Sequence, residues 1–110
     1  MQRVFLVGAR ASGKSTIGRS LAETLGCPFL DTDTELTRDL GCSIDVFVKE
    51  NGWDAFRRKE HETLKRLAGS GEKKQDGEWL VIATGGGMVL LPENRKILRE
   101  KGVTFYLEAP

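Results

Sequence analysis

Four short apolar runs, at residues 4–7, 29–30, 80–83 and 103–107, are separated by stretches whose apolar positions recur every three or four residues. Such runs predict strands buried on both faces, and their alternation with helical patterns predicts an α/β fold: a parallel sheet flanked by helices. Ile17, Leu21, Ala22 and Leu25 fall at helical spacing, with Gly26 placed to close that helix. A second helix is predicted over about residues 34–40 with Gly41 as its break; a short segment then starts at Ser43, an N-cap residue type, and Gly52 punctuates again. From Trp53 an amphipathic helix runs to about Ala68, and the polar, glycine-containing stretch 69–78 reads as a surface loop. Pro92 suits the first turn of a last helix, Lys96, Arg99 and Lys101 complement its C-terminal dipole, and Gly102 terminates it.

Composition narrows the classes. A chain of 110 residues fits one domain, taken as 1–110, with room for a single core. Seventeen basic against sixteen acidic residues leave neither a basic excess nor a basic stripe, so a nucleic-acid partner is not expected. Cys27 and Cys42, without CxxC spacing and with His61 as the lone histidine, suggest neither a disulfide framework nor a zinc site, and both read as reduced, small core residues. No apolar run approaches the ~20 residues of a membrane span, and the first run is too short for a signal-peptide core. The expectation is a cytoplasmic protein with no membrane partner.

The chemistry begins between the first strand and the first helix. Gly8-Ala9-Arg10-Ala11-Ser12-Gly13-Lys14-Ser15 matches the phosphate-loop pattern G-x-x-x-x-G-K-[ST] at every fixed position. Glycine lets the backbone curl so that successive N–H groups face one anion, and the helix N-terminus adds partial positive charge. Ala11, Ser12, Gly13, Lys14, Ser15 and Thr16 are the candidate nucleotide-binding residues. Lys14 is placed to reach the β- and γ-phosphates of ATP, and Ser15 to offer a hydroxyl to Mg²⁺.

Three further features lie at predicted strand ends or break a pattern. Asp31-Thr32-Asp33 follows the second strand, on the side where open α/β sheets bind ligands; phosphoryl transfer uses carboxylates for Mg²⁺ and for the attacking hydroxyl, while helix capping would account for the same pair. On the helix from Trp53, positions Trp53, Arg57, Glu60, Leu64 and Leu67 share one face, which the apolar members mark as covered. Arg57 and Glu60 are then charges where apolar residues belong. Either they form a structural pair at i, i+3, or the guanidinium also grips a carboxylate ligand. Gly85-Gly86-Gly87 follows the third strand, where it permits close backbone approach to a ligand or forms a plain turn.

Taken together, GARASGKST, DTD, FRRKE and ATGGG, in this order and spacing, resemble the shikimate kinases of the nucleoside-monophosphate-kinase branch. The resemblance covers all 110 residues. It implies ATP-dependent phosphorylation of the shikimate 3-hydroxyl, a step of aromatic amino-acid biosynthesis, by a mostly monomeric enzyme. It also implies roles: Ser15 and Asp31 for Mg²⁺, Asp33 as shikimate contact and base, Arg57 for the shikimate carboxylate with Glu60 as its partner, and Gly86 and Gly87 offering backbone to substrate. Phe56 and Trp53 would wall the pocket, although many members carry Glu where Trp53 stands. Family members continue beyond the equivalent of Pro110 through a lid that brings an Arg to the phosphates, a last strand, and another Arg for the shikimate carboxylate. Without them the 110-residue chain is expected to be inactive or nearly so. The rival readings are another small-molecule kinase, such as a gluconate kinase, and a nucleotide-binding unit that does not catalyse.

Overall fold

The computed structural model describes residues 2–8, 13–69, 79–85 and 87–107. In chain order these form β1 (Gln2–Gly8), α1 (Lys14–Leu25), β2 (Phe29–Asp31), α2 (Thr32–Leu40), α3 (Ile44–Asn51) and α4 (Trp53–Gly69). There follow β3 (Trp79–Ala83), a 3₁₀ turn (Met88–Leu90), α5 (Pro92–Lys101) and β4 (Val103–Leu107). The strands make one sheet in the order β2-β3-β1-β4, and every neighbouring pair is parallel.

Side chains alternate across the sheet and build a core on each face. On one side Phe5, Val7, Leu80 and Ile82 pack with Leu64, Leu67 and Ala68 of α4, Met88, and Leu98 of α5. On the other, Val4, Leu6 and Val81 pack with Ala22 of α1. The arrangement is three-layered, helix on sheet on helix, as the pattern of short runs predicts.

Burial on both faces holds for β1 and β3 and fails for the outer strands. β4 leaves Val103 and Phe105 at 50% and Tyr106 at 68% exposure, and β2 is half-buried throughout. Each of these has a strand on one side only among the described residues, so its apolar run reflects β propensity rather than complete enclosure. The apolar stripe of α1 is likewise less covered than its spacing implies: Ala22 is buried, but Ile17 stays 44% exposed, and Cys27 and Cys42 are half-buried rather than core residues, since each sits in a turn after a helix end.

The local stop and start signals read correctly. Gly26 and Gly41 end α1 and α2 in left-handed conformations, and the Ser43 hydroxyl caps α3 by accepting the Val46 N–H at 3.2 Å. Pro92 opens α5, and Gly102 follows its end in an extended conformation. The second helix starts two residues earlier than its periodicity predicts, because the Asp31 side chain supplies the cap. In the loop expected at 69–78, Gly69 belongs to α4 and the remainder lies outside the described residues. Among the described residues no helix is long and apolar enough to cross a membrane.

Candidate active site

The C-terminal ends of β1, β2 and β3 bring the singled-out residues to one rim of the sheet. At the end of β1, Gly13 takes a left-handed conformation (φ 83°) and leads into α1, whose N-terminus has no side-chain cap among the described residues. Lys14 bends back so that Nζ donates to the Gly8 carbonyl at 2.6 Å. Burial pushes its pKa below the usual lysine range, and the negative charges of Asp33 and Asp31 oppose that shift. Ser15 Oγ donates to Asp31 Oδ2 at 2.7 Å. Ala11 and Ser12 lie outside the described residues. Thr16, one residue beyond Ser15, is exposed on the first turn of α1.

Asp31 satisfies two demands at once. Its Oδ1 accepts the N–H groups of Asp33 at 2.9 Å and Thr34 at 3.3 Å, capping α2, while Oδ2 meets Ser15. The capping reading is therefore correct for Asp31, and capping is what aims its second oxygen at the phosphate loop. Asp33 sits in the first turn of α2 with its side chain exposed.

The second half of the rim draws on α4 and the glycine segment. Arg57 Nη1 donates to Glu60 Oε1 at 2.9 Å, with Arg57 24% and Glu60 3% exposed at the side chain. Burial raises the Glu60 pKa, the Arg57 hydrogen bond and charge oppose it, and the nearby Asp33 charge adds to the rise. The guanidinium carbon also lies 5.3 Å from the Trp53 ring centre and 5.4 Å from that of Phe56, the two rings meeting edge to face at 5.7 Å. Phe56 is buried. Trp53 is 59% exposed, so the covered face predicted for α4 begins only after its first turn, where the sheet comes within reach.

The glycines follow from what lies against them. A side chain at Gly85 would bring its first carbon to 2.5 Å from Asp33 Oδ1, and one at Gly87 would collide with the Arg57 guanidinium. At both positions the absence of a side chain lets Asp33 and Arg57 lie directly against the backbone, and any larger residue would oblige those side chains to move. Gly86 lies outside the described residues. Sequence reasoning missed two threonines that hold this segment. Thr84 donates both its N–H and its hydroxyl to the Leu6 carbonyl, each at 2.9 Å, and Thr32 accepts the Gly85 N–H. Their partners are 78 and 53 residues away, so no local signal could reveal them.

A parallel α/β sheet with a phosphate loop after β1, an aspartate bonded to the loop's serine, and a second cluster of acid and base beside it defines a P-loop kinase. The shikimate kinase family model matches residues 10–110, and the chain belongs to that family. It is 55% identical over 108 residues to the shikimate kinase of Nitratidesulfovibrio vulgaris, covering 98% of this chain and 58% of that protein. It is 45% identical over 109 residues to shikimate kinase 2 of Syntrophotalea carbinolica, covering 99% of this chain and 59% of the relative. Among solved structures, shikimate kinase from Acinetobacter baumannii in complex with shikimate superposes with a TM-score of 0.90 at 37% identity, covering 100% of this chain and 57% of that one. The chain thus spans somewhat under 60% of the length of the curated relatives named here.

Proposed function

We propose that this chain carries the nucleotide and acceptor sites of a shikimate kinase, which transfers the γ-phosphoryl group of ATP to the 3-hydroxyl of shikimate. One observation supports the reading above the others. Asp33 and Arg57, each backed by a glycine of the 85–87 segment, stand on the same rim as Lys14, Ser15 and Asp31. An acid that can accept a proton and a cation that can grip a carboxylate therefore flank the phosphate loop, as a hydroxy-acid acceptor requires.

In this reading Gly13, Lys14 and Thr16, with Ala11 and Ser12 preceding them, surround the ATP phosphates. Lys14 exchanges its bond to the Gly8 carbonyl for the β- and γ-phosphate oxygens. The hard oxygens of Ser15 and Asp31, 2.7 Å apart, suit Mg²⁺. Among the described residues no group of three or more His, Cys, Asp or Glu could hold a metal, which fits an ion taking most of its ligands from water and phosphate. When bound, Mg²⁺ would neutralise phosphate charge. Asp33 orients the shikimate 3-hydroxyl and accepts its proton as the oxygen bonds to the γ-phosphorus. The bond from that phosphorus to the ADP oxygen breaks in line. Arg57 binds the shikimate carboxylate, Glu60 holds Arg57 in place, the Trp53 and Phe56 rings both lie beside its guanidinium, and Gly86 and Gly87 present backbone to the acceptor. The enzyme works as a monomer in the cytoplasm.

The test is calorimetric titration of shikimate, with and without Mg²⁺–ADP, into this chain and into the full-length protein. Shikimate should bind the full-length protein, and Arg57→Ala should weaken it by about a hundredfold through loss of charge-assisted hydrogen bonds. Nucleotide binding without any shikimate binding would overturn the acceptor assignment.

A further inference from the structure

The segment that ends β3 is held from both sides, and one of its anchors is a side chain standing in for a strand. Successive N–H groups of β3 point alternately to its two neighbours: Val81 donates to the Pro28 carbonyl on the β2 side at 3.1 Å, and Thr84 to the Leu6 carbonyl on the β1 side at 2.9 Å. By that alternation Gly85 N–H faces β2. The ladder between these strands stops at the pair Asp31 and Ala83, because the chain turns into α2 at Thr32 and withdraws its backbone. A buried N–H left there would lack an acceptor. Thr32 Oγ1 supplies it, 2.8 Å from the Gly85 nitrogen, and Thr32 itself is only 1% exposed.

We propose that the Thr32 hydroxyl is a positioning residue for the acceptor half of the site: it pins Gly85 against the Asp33 carboxylate and so sets where the acceptor hydroxyl is held. The inference rests on the shikimate kinase reading above. Thr32 lies between the two aspartates, so one side chain registers the acceptor wall against both of them. Gly85 then has a fixed place from which to back Asp33, with its α-carbon so close that a methyl group there would sit 2.5 Å from Oδ1. Valine at position 32 keeps the shape and deletes the acceptor, leaving the Gly85 N–H buried and unpaired. The wall would then shift toward water, carrying the acceptor contacts with it. The nucleotide half would remain, since the Ser15–Asp31 bond and the Lys14–Gly8 bond do not involve Thr32.

The experiment is steady-state kinetics on the full-length protein with Thr32→Val and Thr32→Ser. The valine variant should raise KM for shikimate about tenfold or more, the equivalent of one lost buried hydrogen bond, and leave KM for ATP within about twofold. Serine, which retains the hydroxyl, should return KM for shikimate to within about threefold of the parent. If the valine variant does not fold, Thr32→Ala, which deletes the same hydroxyl and its anchor on Gly85, must show the same split between the two substrates. Equal changes in both KM values, unchanged values, or a serine variant as impaired as valine would overturn the role of Thr32 while the parent still phosphorylates shikimate. A parent with no shikimate turnover would instead overturn the functional reading, and this inference with it.

Discussion

Under the proposed function the rim divides into a nucleotide half and an acceptor half, and the two are built in opposite ways. The nucleotide half comes from one stretch of sequence, Gly8 to Ser15, and among the described residues Asp31 meets it at Ser15, 2.7 Å away. The acceptor half is assembled from three distant segments, with Asp33 on α2, Arg57 and Glu60 on α4, and Gly85 and Gly87 after β3. Backbone N–H groups and a helix terminus recognise phosphate wherever the chain curls correctly, so the first half tolerates changes elsewhere in the fold. The second half depends on side chains pressing against backbone from another element. Small displacements there should cost binding of one substrate and spare the other.

That contrast can be broken most severely at Lys14. Lys14→Met should lower kcat/KM for ATP about a thousandfold, as loss of a preorganised charge at the transferring phosphoryl group does, and leave shikimate binding to the nucleotide-free protein intact. Steady-state kinetics with ATP and calorimetry with shikimate alone check it; a parallel loss of shikimate affinity would show that the halves are not separable. The converse and smaller effect belongs to Gly87→Ala. Its new methyl group would collide with the Arg57 guanidinium and force it to move, so KM for shikimate should rise about tenfold with ATP affinity retained. An unchanged KM would mean that the wall yields and that the close approach carries no function.

The smallest effect concerns Glu60 and stability rather than catalysis. Burial raises its pKa above the ordinary 4.5, so between that value and the raised one the folded protein holds a proton that the unfolded chain has released. Stability from this group is then greatest below the window and declines as pH rises through it. Glu60→Gln, which can still accept from Arg57, should remove that component of the slope in urea denaturation measured at successive pH values. A slope identical to the parent's would assign the pH dependence to other groups.

Much of the molecule is legible in its local sequence. The helix stops at Gly26 and Gly41, the Ser43 cap and Pro92 at the head of α5 are local choices, made by the backbone preferences of one or two residues. Arg57 and Glu60 stood out because charges on an apolar helix face need a partner, and each is the other's at 2.9 Å. The exposure of Trp53 and of the outer strands was not legible, since an apolar residue at the right spacing is written identically whether or not another element arrives to cover it.

The sequence by itself determined the order of strands and helices, the phosphate loop and the identity of the charged groups, because periodicity, turn chemistry and a contiguous motif act over a few residues. Only the tertiary structure decided how those groups meet. Asp31 divides its two oxygens between a helix cap and Ser15, Asp33 and Arg57 lie against the backbone at Gly85 and Gly87, and Thr32 replaces a strand that has turned away. The physical reason is range: a hydrogen bond or a steric contact forms wherever two atoms come within about 3 Å, and nothing in the local pattern of either segment records that the other will be there.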